Sequence, residues 1–323
     1  MRDPGVLVLG MHRSGTSAVA RLLDGLGLDA GPVEGLIGPT DHNPHGHFEV
    51  QALVDFNDRL LAELGGTWVA PPTHEPDRQH KLVGGAFGTE ASRLLDDHLG
   101  EQSWFWKDPR TCLLLPFWLK VLDVPPAALV VVRHPDAVAA SLEARDGLPV
   151  AYGRQLWSTY LSTLSASLEG VATMTVVYDV LLADAVGCAA AITDWLGAQG
   201  HAVRGEPAGA ASLIDPAINH HGDLESAGSE GDSGTWSRLL DAHGTPFPGD
   251  IEDSGPAPTE PERELARAFG GALDERWRLD GELVDREADV EALGSELESA
   301  RERVAHLGGV VADRGADVER LLA

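Results

Sequence analysis

The stretch that most constrains this chain is Gly10-Met11-His12-Arg13-Ser14-Gly15-Thr16-Ser17, set between a short apolar run, Val6 to Leu9, and the helically spaced Ala18, Leu22, Leu23 and Leu26. An uninterrupted apolar run of this kind reads as a buried strand, and the spacing after it as a helix. A strand that passes through a glycine-bearing loop into a helix N-terminus turns backbone N–H groups toward one point, which suits an anion. Gly10 and Gly15 permit backbone angles and close approaches that a side chain would block. His12, Arg13, Ser14, Gly15, Thr16 and Ser17 are therefore the candidate anion-binding residues of the loop.

The spacing of Gly10 and Gly15 is that of a nucleotide-triphosphate loop, in which Lys comes next, for the β/γ-phosphates, and then Ser or Thr for magnesium. Thr16 stands where that Lys is required, and the guanidinium of Arg13 lies inside the loop instead. The ligand predicted is an anion gripped by Arg13 and backbone amides, with no obligatory metal. The bland alternative is a glycine-rich turn without a ligand, and a second site farther along counts against it.

That second site follows Ala128-Leu129-Val130-Val131-Val132, the clearest buried strand in the sequence, which ends in Arg133-His134-Pro135-Asp136. Pro135 and Asp136 open a helix in which Ser141 lies about two turns in. Two further strands are read at Trp104 to Trp106, ending in Lys107-Asp108-Pro109-Arg110, and at Thr173 to Tyr178. Helices are expected at 51–64, 88–99, 111–121, 152–168 and 183–196, and a Pro-rich connection at 67–79. Strands alternating with helices imply an α/β domain with a parallel, P-loop-like sheet flanked by helices, and ligands at the strand C-termini. Lys107, at such a strand end, either pairs with Asp108 or points into the anion site.

Gly31 to Glu49 is rich in Gly and Pro and must be loop. His42, His45, His47 and Glu49 invite a metal reading, but the breakers between them suit no ordinary ligand presentation and no further ligand pair is evident, so no metal is predicted. Glu49 is the sharper candidate, as a catalytic or acceptor-binding carboxylate. Its alternative is a first-turn Glu for the helix starting near Gln51.

With 51 acidic residues against 24 basic ones, a net charge of −27, the chain is unsuited to non-specific binding of nucleic acid or anionic membrane. An anionic substrate then needs a local basic pocket. Lysine occurs only at 81, 107 and 120, so Lys107 stands out. Cys112 and Cys188 have no metal-ligand spacing, which favours a reducing compartment. Neither a secretory segment nor a membrane span is recognised, and a cytoplasmic protein is expected.

The α/β domain is expected to occupy 1–220, followed at 221–261 by a flexible acidic linker with a short helix, Trp236 to Ala242. From 262 to 323 the composition shifts to Ala, Glu, Leu, Arg and Asp. Leu283, Val290, Leu297, Val304, Val311 and Val318 are spaced by seven, with Leu279, Leu293, Leu307 and Leu321 at the companion position. This predicts a C-terminal helical coiled-coil extension and, through it, a homodimer; the alternative is one long helix folded back on its own domain.

Taken together, Gly10 to Ser17, Trp106 to Arg110 and Arg133 to Ser141 resemble the sulfotransferases that use 3′-phosphoadenosine 5′-phosphosulfate. Arg-Ser-Gly-Thr-Ser looks like that family's 5′-phosphosulfate loop, and Arg133 with Ser141 like its 3′-phosphate motif. Lys107-Asp108-Pro109 is similar to the strand-end motif of the protein-tyrosine branch and its bacterial relatives, and Tyr178-Asp179 to the Tyr-acidic pair ending the next strand. The resemblance implies sulfuryl transfer to a hydroxyl of a glycan or small metabolite. Arg13 and Lys107 would stabilise charge, Glu49 would be the base, and Tyr178 would join the donor site. The cytosolic branch has a catalytic His after its strand-end Lys, where this chain has Asp108 and Pro109. The competing readings are a P-loop kinase or nucleotide hydrolase, disfavoured by Thr16, and a non-catalytic nucleotide-binding module on a coiled-coil tether.

Overall fold

The computed structural model describes residues 5–40, 43, 46–99, 103–122, 124–215, 233–252 and 264–273, with scattered helical positions between 275 and 303. Four parallel strands form the centre: β1 (Val6–Leu9), β2 (Phe105–Lys107), β3 (Ala127–Val132) and β4 (Ala172–Val177), in the order β2-β1-β3-β4. Their registers bring Val8 beside Lys107, Leu9 beside Val130 and Val132 beside Val177. The strands therefore end near one level, and the polar residues that follow them converge there. β1 and β3 are apolar throughout because helices cover both faces.

On one face Val6, Val8, Leu129, Val131 and Val176 join a core with Val19, Leu22 and Leu23 of α1 (Thr16–Gly25). On the other, Trp106 packs edge-on against Trp118 of α5 (Thr111–Val121), ring centroids 4.6 Å apart. Between β1 and β2 run α2 (Gln51–Glu63), α3 (Pro76–Val83) and α4 (Ala86–His98). β3 leads into α6 (Pro135–Asp146) and α7 (Val150–Ser165); β4 is followed by α8 (Tyr178–Ala183), α9 (Ala185–Ala198) and α10 (Pro207–Ala211).

The parallel α/β architecture is the one expected, with local differences that have physical causes. The Pro-rich connection contains α3, because Pro76 sits in its first turn, where a missing N–H costs nothing. α5 runs through Pro116, which cannot donate to the turn before it. Gln79 of α3 mends the ladder: its Nε2 donates to the carbonyl of Leu113 (2.9 Å) and its Oε1 accepts from the N–H of Phe117 (3.2 Å). Tyr178 opens α8 instead of ending β4.

The linker expectation fails over 243–251, which follow α11 (Ser233–Asp241): 243–247 run along the outer edge of β4, and Pro248 and Ile251 bond the Ser165 hydroxyl of α7. Thr175 donates to the Thr245 carbonyl (2.8 Å) and accepts from the N–H of Gly244 (2.9 Å). An edge strand with open N–H and C=O groups needs such a cover.

Two compact units divide the chain, 1–267 and 268–323. In the second, Leu279, Val290 and Leu293 are helical and exposed. The other seam positions, Leu283, Leu297, Val304, Leu307, Val311, Val318 and Leu321, lie outside the described residues, as do 221–232 and 253–261 of the expected linker. No described helix is long and apolar enough to cross a membrane.

Candidate functional site

A cleft opens at the C-terminal ends of the strands. Its floor is the loop after β1. Gly10 has φ 154°, and a Cβ there would come within 2.4 Å of the Val131 carbonyl oxygen, so β3 passes too close for any other residue. The Gly10 N–H donates to Sγ of Cys112 (3.1 Å), whose thiol is pushed up to about 12 by burial. Arg13 adopts a left-handed backbone, φ 69°, uncommon for a residue with a side chain. Gly15 caps α1 at φ 91°, and a Cβ on it would strike the Tyr178 ring at 2.2 Å. His12, Arg13, Gly15, Thr16 and Ser17 line the cleft; Ser14, only 1% exposed, lies beneath them.

The two strand ends expected to bind anions meet directly. Arg13 Nε donates to Ser141 Oγ of α6 at 2.8 Å, and Arg133 Nη1 donates to the Arg13 carbonyl at 3.3 Å. The Arg133 guanidinium lies over the Tyr178 ring, 5.2 Å from its centroid, within cation–π range. The Arg133 carbonyl accepts from Trp157 Nε1 (3.1 Å), fixing the turn from β3 into α6. Burial, with the charges of Arg145 and Arg133, lowers the Arg13 guanidinium to about 10; burial likewise lowers Arg133. This corner of an acidic protein concentrates positive charge.

The opposite wall is the loop between α1 and α2. Gly46 and Phe48 both have positive φ, 85° and 54°, and the chain returns on itself so that the Ile37 N–H reaches the Glu49 carbonyl at 2.8 Å. These turns aim Glu49 inward. Val50, not Glu49, occupies the N-cap of α2, so the first-turn alternative for Glu49 does not describe its position. Glu49 Oε1 instead accepts from Lys107 Nζ, in a salt bridge whose partners are 8% and 3% exposed.

Lys107 thus pairs with Glu49, and Asp108 turns away to Arg110 (3.3 Å) and Asn57 (2.8 Å). Arg110 also meets Asp58 at 2.5 Å and the second Glu49 oxygen at 3.8 Å. Burial alone would lower the Arg110 guanidinium, but Asp58, Asp108 and Glu49 hold it well above its usual range. The result is a cluster of two cations, Lys107 and Arg110, and three carboxylates, Asp58, Asp108 and Glu49, that ends at the cleft in Glu49.

His47 accompanies Glu49 on this wall, with Thr40 Oγ1 3.0 Å from its Nε2. Burial and the charges of Lys107, Arg145 and Arg13 lower it to about 3, so the ring is neutral near pH 7. Asn43 Nδ2 donates to Ser17 Oγ (3.1 Å), tying this loop to the anion loop. No group of three or more metal-ligating side chains occurs among the described residues; His42 and His45 lie outside them.

Arg145 also lines the cleft, its Nε 2.8 Å from Asp146 Oδ2 and its guanidinium 5.7 Å from the Trp68 ring centroid. Sequence reasoning missed it, although it sits four residues after Ser141 and so on the same face of α6. Arg110, Asn57 and Asp58 were also missed as partners, having no sequence signal beyond the strand-end motif.

No protein-family description matches the chain, and no curated protein does. Among solved structures the chain is similar to the sulfotransferase domain of the Synechococcus PCC 7002 olefin synthase, at 19% identity over 83% of this chain and 94% of that one, with a TM-score of 0.41. Likeness of that degree assigns no activity, and the functional reading rests on the cleft itself.

Proposed function

We propose that the protein transfers a sulfuryl group from 3′-phosphoadenosine 5′-phosphosulfate to a hydroxyl of a glycan or small metabolite. The observation that carries this reading is the juxtaposition, in one cleft, of a cation-rich anion loop with no P-loop lysine and the buried Lys107–Glu49 pair. Backbone amides after Gly10 and the Arg13 side chain would take the 5′-phosphosulfate, and Arg133 the 3′-phosphate. Arg13 and Ser141 are already joined, so filling one phosphate position organises the other.

Sulfuryl transfer, like phosphoryl transfer, passes through a loose in-line transition state, and the protein's contribution is positioning and charge stabilisation. The acceptor oxygen forms a bond to sulfur as the bond from sulfur to the bridging phosphate oxygen breaks. Glu49 takes the hydroxyl proton; Lys107, released from Glu49 by that neutralisation, turns its charge on the departing bridge oxygen. One salt bridge therefore serves both ends of the reaction. A kinase reading lacks the lysine that would reach a γ-phosphate at Thr16.

Thermal-shift titration separates the possibilities. Selective stabilisation by adenosine 3′,5′-bisphosphate over ATP–magnesium, followed by transfer of labelled sulfate to a glycan or hydroxylated metabolite, supports the proposal. Selective stabilisation by ATP supports a kinase, and bisphosphate binding without transfer supports a binding module. A homodimer through 279–321 is part of the same proposal, since a helical apolar seam of that length needs a partner. Light scattering should give twice the monomer mass for the whole chain and the monomer mass for a chain ending near residue 260.

A further inference from the structure

His243 comes from the segment that follows α11, far in sequence from the cleft, yet it completes the end of β4. Val177, the last strand residue, points its N–H away from β3, and the acceptor it finds is Nδ1 of His243 at 3.0 Å. The other ring nitrogen, Nε2, lies 3.5 Å from Sγ of Cys188 on α9. Because Nδ1 accepts, it carries no proton; the neutral ring is then protonated at Nε2, which donates to the sulfur. Either proton arrangement that places hydrogen on Nδ1 sets it against the Val177 N–H.

The residue after Val177 is Tyr178. Its ring fills the space a Cβ on Gly15 would need, and the Arg133 guanidinium rests on it. His243 thus holds the amide of the residue directly before Tyr178, whose ring sits between the two expected phosphate sites. We propose that His243 is a positioning residue of the donor site, holding the β4–α8 junction through the Val177 N–H so that Tyr178 keeps the loop at Gly15 and the Arg133 side chain in binding register. The proposal rests on the donor reading given above.

Neighbouring groups favour the neutral ring. Burial lowers the imidazole below its ordinary value. β4 presents Thr175 and Val177, which do not titrate; α9 presents the Cys188 thiol, pushed up to about 11 by burial and by Asp184. Acidification protonates Nδ1, breaks the contact with Val177 and loosens the junction.

The test compares His243→Ala with His243→Asn, whose side-chain oxygen can replace Nδ1 but cannot be protonated. Calorimetry with adenosine 3′,5′-bisphosphate at pH 7.5 should show affinity about tenfold weaker for H243A and mostly restored in H243N. On lowering the pH to 5.5 the parent should lose more affinity than H243N, the ligand's own titration being common to both. Hydrogen exchange should show the Val177 amide less protected in H243A and protected in H243N. Equal loss in both variants, or unchanged affinity in H243A, overturns the positioning role. If the parent chain does not bind the bisphosphate, the donor reading itself falls and this role with it. If the parent binds it and exchange at Val177 is insensitive to H243A, only the His243 contact falls.

Discussion

The two walls of the cleft handle charge in opposite ways. On the loop and α6 side, Arg13 and Arg133 donate to a hydroxyl and a carbonyl, and burial together with the neighbouring guanidinium groups presses Arg13 down to about 10. On the β2 side, Lys107 and Arg110 each meet carboxylates, and Arg110 is held upward by them. The first wall stores electrostatic stress that an arriving anion relieves. In the second each cation already meets carboxylates before anything binds, two cations against three, so a single proton on Glu49 changes how they are shared. An anion-binding half and a proton-accepting half need not be tuned by the same residues.

The largest effect expected is on turnover. Glu49→Gln keeps size and polarity but cannot take a proton, and should lower kcat by about 10²–10⁴-fold with bisphosphate affinity unchanged. Retained turnover would move the base to His47 or its neighbours, and a matching loss of affinity would dissolve the division between the walls.

Next is stability. Removing one member of a buried pair leaves the other uncompensated, so Lys107→Met should cost about 3–5 kcal/mol in urea unfolding. Combining it with Glu49→Leu should recover most of that loss while leaving the protein inactive. Failure of the double variant to recover would mean that Arg110, not Lys107, is the main counter-charge of Glu49.

On the other wall, Arg133→Ala should weaken bisphosphate binding by about 2–3 kcal/mol, as for a charge-assisted hydrogen bond to phosphate. It should cost the unliganded fold little, because burial already penalises the charge it removes. Unchanged affinity in calorimetry would take Arg133 out of the donor site.

The smallest effect concerns His47. Its folded value lies near 3, below the ordinary value near 6.5, so the unfolded chain binds more protons between those two points. Its contribution is full above pH 6.5 and is lost as the pH falls toward 3. Between pH 7 and 5.5, His47→Gln should lose about 1 kcal/mol less stability than the parent. Parallel losses would show that burial and the cations of both walls do not hold the His47 ring neutral.

Much of this arrangement was legible in the sequence because it is local. Strands made of Val and Leu, the two loop glycines, and the charged residues just past each strand announce a parallel sheet and where its ligand end lies. The Lys107–Glu49 contact was not legible: 58 residues separate the partners, and the geometry depends on Phe48 holding a backbone angle that its side chain disfavours. The helix at 111–121 was legible despite Pro116, but its repair was not, since the amide that bridges it belongs to Gln79 on another element. Gly244 to Ile251 has a linker's composition, and its ordering comes from the outer edge of β4 and from Ser165 of α7.

The contact between the Gly10 N–H and the Cys112 sulfur has a use in kinetics. A thiol pushed up to about 12 and 1% exposed presents almost no thiolate to an alkylating reagent while the root of the loop is closed. Labelling of Cys112 must then wait for β1 and α5 to part, an opening that frees the thiol and undoes the loop together. The rate of its alkylation, with and without a bound anion, counts those openings one molecule at a time, and so makes a single native atom a clock for the lifetime of the binding loop.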